Sequence, residues 1–222
     1  MKKQKTVEVL RFLPALFRYA DVAKFVSNPN VFITRALKTG YVARIVRGVY
    51  YNTFKEAPQV EEVACFLRTP SYISCEWALN YHDVILQVPV VCTVITLNPS
   101  VGERNKVHYK GVVIEYSKIS EKLFYSYETR QGFNIATPEK ALLDTLYLRR
   151  HVPFIGELEL DNLDIIKLMD LSKLYPMSVQ KKVRVIVQRP PNPMVTSKST
   201  PICHSRKRSA SGILLQTKKD SL

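Results

Sequence analysis

A chain of 222 residues that is 46% hydrophobic and 23% charged has enough apolar material for one large domain or two small ones. Those proportions exclude a collagen, a coiled coil and a wholly disordered chain. The formal net charge is +14, and it is unevenly placed. Residues 1–58 carry 11 Lys/Arg against 3 Asp/Glu, a net of +8. Residues 59–188 carry 15 against 15, a net of zero, and residues 189–222 carry 7 against 1, a net of +6. A neutral body between two basic ends points to a polyanion met at the ends.

No apolar run approaches the roughly 18 to 20 residues that a membrane-spanning helix needs. The basic start, Met1-Lys2-Lys3-Gln4-Lys5, runs into Glu8 and Arg11, so no secretory leader is expected and the cytoplasm is the default compartment. Cys65, Cys75, Cys92 and Cys203 form no C-x-x-C pair, and the four histidines are scattered. Reduced thiols are expected, with no metal site and no cofactor.

In chain order, Val7, Leu10, Phe12 and Leu13 give a first helix an apolar face before Pro14 interrupts it. A second helix begins near Tyr19 and buries Val22, Ala23, Phe25 and Val26. Asn28 before Pro29 reads as an N-cap with proline at N1, opening a third helix to about Lys38 that buries Val31, Ile33 and Leu37. Gly40 fits its C′ position. Ala43–Tyr51 then reads as two strands about a tight turn at Arg47-Gly48. This order is the winged helix-turn-helix plan, expected for residues 1–58. A third helix of this kind enters the major groove, and the hairpin flanks it against phosphate or the minor groove. Asn30, Thr34, Arg35 and Lys38 are left for the exposed face of that helix, with Arg44 and Arg47 on the wing.

Pro58 and Glu61-Glu62 mark a change to an α+β domain over 59–188. Val60–Leu67 is a predicted helix, and Tyr72–Tyr81 another, capped by Ser71 or Ser74. Val88–Thr96 is a β-branched run expected to be a buried strand, followed by strands at Val112–Tyr116 and Gly132–Ala136. Thr137-Pro138-Glu139 starts a helix with Ala141, Leu142, Leu143, Leu146 and Tyr147 as its apolar face. A last helical stretch is expected near Leu163–Leu174. From Arg189 the Pro-, Ser- and Lys-rich composition reads as a disordered basic tail, 189–222, either binding nucleic acid nonspecifically or merely solvated.

Three segments carry a resemblance: Gly40–Tyr50, then Pro70-Ser71-Tyr72-Ile73-Ser74, then Thr137–Asp144. Over about residues 5–180, in order and spacing, the chain resembles the AbiEi antitoxins of bacterial AbiE abortive-infection, type IV toxin–antitoxin systems. The resemblance implies an N-terminal domain that represses its own operon on inverted repeats. It implies a C-terminal domain that counters a nucleotidyltransferase-like toxin, with no direct complex required. The protein would sit on double-stranded DNA as a dimer or as two copies.

Catalytic signatures are sparse. No phosphate-binding glycine loop and no G-x-S-x-G occurs among the seven glycines. The alternative to a repressor is a metal-dependent nuclease built on Asp83, Glu115 and Lys118. Its E-x-x-K spacing puts acid and lysine on opposite strand faces, which does not suit one shared metal-bound water. Glu139, Lys140 and Asp144 read as structural support, the last two as an i,i+4 pair worth a few tenths of a kcal/mol. Trp77 and the tyrosines read as core residues.

Overall fold

The computed structural model describes residues 3–99, 105–151 and 155–188, so the tail expected at 189–222 lies outside the described residues. Helix α1 (Lys3–Phe12) and the residue after it bury Leu10 and Leu13, which lie three apart on one side. Phe12, expected on that face, is instead 76% exposed, because two residues from Leu10 is roughly the far side of a helix. The chain then forms a strand that periodicity does not announce, β1 (Leu16–Arg18). Its Phe17 is fully buried and stacks on Tyr50 at 5.8 Å. A three-residue strand is too short for alternation to register.

Helix α2 (Tyr19–Ala23) is short and buries Val22, leaving Ala23 exposed and Phe25, beyond its end, 49% exposed rather than packed as expected. Helix α3 (Pro29–Lys38) has the predicted limits. Its buried side is Phe32, Ile33 and Ala36, whereas Val31, expected inside, is 40% exposed and Leu37 only half-buried. Strands β2 (Val42–Val46) and β3 (Val49–Asn52) complete an antiparallel three-stranded sheet in the order β1-β3-β2. Around this sheet and these helices lies a core of its own, including Leu10, Phe17, Phe32, Ala36 and Tyr50. Buried Asn52 ties it together. Its Nδ2 donates to Leu10 O at 2.6 Å, its Oδ1 accepts from Phe54 N at 3.1 Å, and the end of α1 is thereby satisfied.

The larger core surrounds a six-stranded mixed sheet in the order β6-β7-β5-β4-β9-β8. Its elements are α4 (Val60–Leu67), β4 (Ser71–Ser74), α5 (Cys75–Tyr81), β5 (Val91–Thr96), β6 (Lys106–Tyr109), β7 (Val112–Lys118), β8 (Tyr127–Arg130) and β9 (Phe133–Ala136), then α6 (Pro138–Leu148), α7 (Ile165–Ser172) and α8 (Met177–Val187). The pairs β5·β7 and β4·β9 are parallel, and the remaining neighbours antiparallel.

Three expectations change here. The helix expected at Tyr72–Tyr81 is a strand through Ser74 and a helix only from Cys75, because pairing on both sides, with β5 and β9, overrides the local pattern. The strand expected from Val88 starts at Val91, and Val88 and Val90 are more than 70% exposed. A helix not foreseen, α8, follows α7 and buries Val179, Val183 and Ile186. The chain is therefore an α+β fold with a mixed sheet. Among the described residues no helix is long and apolar enough to cross a membrane.

Candidate nucleic-acid interface

Helix α3 is fixed at both ends by local chemistry. The Asn28 side chain accepts from Val31 N at 3.3 Å, and Pro29 occupies N1, where its missing N–H costs nothing. At the other end Gly40 N donates to Leu37 O at 3.2 Å and Tyr41 N to Ala36 O at 3.0 Å, the paired bonds of a Schellman turn. That turn requires a left-handed residue, and Gly40 supplies it at φ +71°.

With Phe32, Ile33 and Ala36 turned inward, Asn30, Thr34, Arg35 and Lys38 are all exposed. Asn30, Thr34 and Lys38 follow one another at four-residue spacing, which is one stripe along a helix. Arg35 and Lys38 stand in the last turn, where the exposed carbonyls favour cations. α3 packs beside β2, so the hairpin is its immediate neighbour.

The hairpin pairs Val42 with Asn52 and Val46 with Val49, with a register irregularity between Arg44 and Val46. Gly48 at φ +85° makes the tight turn, and its carbonyl accepts from Tyr19 N at 3.0 Å. Arg44 and Arg47 are exposed, and the Arg44 guanidinium lies 5.8 Å from the Tyr50 ring centroid. Among the described residues, no carboxylate lies within 4 Å of Arg35, Lys38, Arg44 or Arg47. Not every cation of the basic segment is available in this way. Arg18 Nη2 donates to Phe66 O at 2.7 Å with its guanidinium 5.1 Å over the Phe66 ring, so it joins the two cores. Lys24 pairs with Asp21 at 3.1 Å. The Arg18 backbone N–H, with Lys24, holds the Asp21 carboxyl below its usual range.

The two later motifs converge on one buried carboxylate, which sequence spacing alone did not foresee. Asp144 Oδ2 accepts from Ser74 Oγ at 2.7 Å and Tyr72 OH at 3.1 Å. Its Oδ1 accepts from Lys140 Nζ at 2.5 Å and Tyr175 OH at 2.7 Å. The i,i+4 pair read as a weak support is thus fully buried, inside a helix whose residues 139–146 are all buried. Lys140 Nζ also lies 5.1 to 5.5 Å from the ring centroids of Tyr72, Tyr125 and Tyr175. Burial lowers the Lys140 pKa, opposed by the Asp144 charge. Burial also pushes the Tyr72 and Tyr175 hydroxyls far upward, so both stay protonated donors. Every member is partnered and enclosed, so this network is scaffold chemistry.

Cys75, Asp83 and the pair Glu115 and Lys118 belong to α5, the connection after it and β7. Cys75 sits at a sharp strand-to-helix turn with φ +56°, but its thiol is fully buried and burial raises its pKa well above the usual value. That leaves a thiol and not a nucleophilic thiolate. Glu115 lies 3.8 Å from Arg149 Nη2, while Lys118, three residues along β7, belongs to the opposite face. Asp83 is on the connection after α5 at φ +57°, its carbonyl accepting from Asn162 Nδ2 at 2.7 Å. Among the described residues no group of three or more His, Cys, Asp or Glu is placed to share an ion.

No family model matches the chain, and no curated protein matches it. Among solved structures, the chain is similar to the RV2827C protein from Mycobacterium tuberculosis, with a TM-score of 0.58 at 11% identity. The likeness covers 82% of this chain and 74% of that one, and at this identity it concerns the fold alone.

Proposed function

We propose that the chain is a double-stranded-DNA-binding repressor in which residues 1–58 act as a winged helix-turn-helix. The observation that carries the reading is the outward face of α3. Asn30, Thr34, Arg35 and Lys38 are exposed there, beside a hairpin bearing Arg44 and Arg47, in a segment of net charge +8. Asparagine and arginine are the side chains that read adenine and guanine edges in the major groove, while lysine and the hairpin arginines suit phosphate. On the AbiEi resemblance, the DNA is an inverted-repeat operator of its own operon in the cytoplasm. On the same resemblance, residues 59–188 counter a nucleotidyltransferase-like toxin and carry no catalysis of their own. No observation favours the nuclease alternative, whose acid and lysine face opposite ways.

The test is a titration of the full chain on duplex enriched from a random pool and on unselected duplex. Arg35→Ala should lose about 1 to 3 kcal/mol on the enriched duplex and much less on the unselected one. Equal losses on both would reduce Arg35 to a phosphate contact and sink base readout by α3. The antitoxin half is tested separately by growth rescue on co-expression with a nucleotidyltransferase-like toxin encoded beside it. Growth arrest that persists with soluble, folded protein present would refute that half.

A further inference from the structure

We propose that β8 is the docking edge for a second copy of this chain, paired antiparallel to its own β8 about Thr129. Strand β8 ends the six-stranded sheet, with β9 on one side, and all four of its residues are exposed. It joins β9 through the two-residue turn Gln131-Gly132, with Arg130 opposite Phe133 and Thr129 opposite Asn134. In such a hairpin the closing pair, Arg130–Phe133, exchanges main-chain bonds inward, and the pattern alternates along the strand. The main-chain groups of Thr129 and Tyr127 therefore face the free edge.

The side chains select the register. Two antiparallel copies meeting about a two-fold axis through Thr129 exchange both Thr129 main-chain bonds. That register sets Glu128 opposite Arg130 of the second copy, and Arg130 opposite its Glu128. These are non-hydrogen-bonded pairs, the ones whose side chains approach most closely, and opposite charges there are favourable. Other registers lose this. Centring on Glu128 or Arg130 opposes like charges, and centring on Tyr127 sets Glu128 against Ser126. A parallel pairing in register places each charge beside its own kind. Within one chain Glu128 and Arg130 already pair at 2.5 Å, so both lie on the same side of the strand, as the exchange requires.

The opposite end of the sheet makes a contrast. Pairing β6 with itself about His108 would oppose Lys106 and Lys110, and there Tyr109 and Lys110 already hold Pro58 O at 2.9 Å each. The sheet thus has one self-complementary edge and one that repels its copy. The proposal concerns association of the chain with itself and stands apart from the DNA reading.

Sedimentation equilibrium of the full chain, without DNA, tests it. Wild type should show a monomer–dimer equilibrium that weakens as salt rises. Glu128→Arg makes the edge all basic and Arg130→Glu makes it all acidic, so each variant alone should raise the dimer dissociation constant about tenfold or more. An equimolar mixture of the two should dimerise again, because a basic edge then meets an acidic one. All positions are exposed, and circular dichroism confirms that each variant is folded. A monomer at every concentration, a dimer indifferent to either substitution, or a mixture that fails to reassociate would each overturn the proposal.

Discussion

Lys140 and Asp144 make the clearest case at the scale of single residues. Two opposite charges with no exposure are tolerated only because Ser74, Tyr72 and Tyr175 satisfy the remaining lone pairs. Removing one partner strands the other. Asp144→Asn or Lys140→Met should each cost about 3 to 5 kcal/mol in urea unfolding. A loss below about 1 kcal/mol in both would show that the network is not as closed as its geometry. Neighbouring Glu139 gives a pH test. Burial alone would raise its pKa, but the Lys167 ammonium, 2.8 Å from Oε2, and the Asp164 N–H, 3.1 Å from Oε1, bring it below its ordinary 4.5. Oε2 is otherwise without a hydrogen-bond partner and is held by charge rather than by a directed bond. A carboxylate whose folded pKa is depressed contributes stability that is complete above the unfolded pKa and lost as pH falls through the folded value. Glu139→Gln should therefore flatten the fall in stability below about pH 4.5. Parallel curves for the variant and wild type would remove Glu139 from the acid transition.

At the scale of elements, the limits of α3 were legible because Asn28-Pro29 and Gly40 are local stop and start chemistry, read without tertiary knowledge. The exposed positions Asn30, Thr34, Arg35 and Lys38 were legible for the same reason, since helical spacing separates polar from apolar residues. Val31, read as buried, is exposed while Phe32, left unassigned, is buried, because both are apolar and only packing decides which turns inward. β1 and β8 escaped notice because strands of three or four residues, the second exposed throughout, carry no hydrophobic alternation. Convergence of Tyr72 and Ser74 on Asp144 could not be read, because a separation of about 70 residues has no periodicity to betray it. For the hairpin, Arg44→Ala with Arg47→Ala should flatten the slope of log K against log salt by up to about 2 units. An unchanged slope would take the hairpin out of the interface.

For the molecule as a whole, two cores meet at a seam where Leu16 of β1 and Ile45 of β2 pack against the larger one. Arg18 crosses it to Phe66, and beside it opens a cleft of about 940 Å³ lined by Ala15, Glu56, Gln59 and Arg130 among others. Such a seam couples the cores less strongly than either is held within. Amides of β4, β5 and β7 should accordingly be at least about tenfold better protected from hydrogen exchange than those of β2 and β3. Equal protection would mean that the seam transmits full cooperativity.

The turn after α3 has a further effect through Thr53. Its Oγ1 donates to Gly40 O at 2.9 Å and its N–H to Tyr41 O at 3.2 Å, so the residue leaving the hairpin is clasped to the residues entering it. Helix and hairpin are thereby buckled into one rigid tool, and neither can swing to suit a bound surface without carrying the other. Under the DNA reading proposed above, groove and flanking backbone would have to be met at one fixed separation. A lattice of possible targets is thus filtered by spacing before a single side chain has made contact.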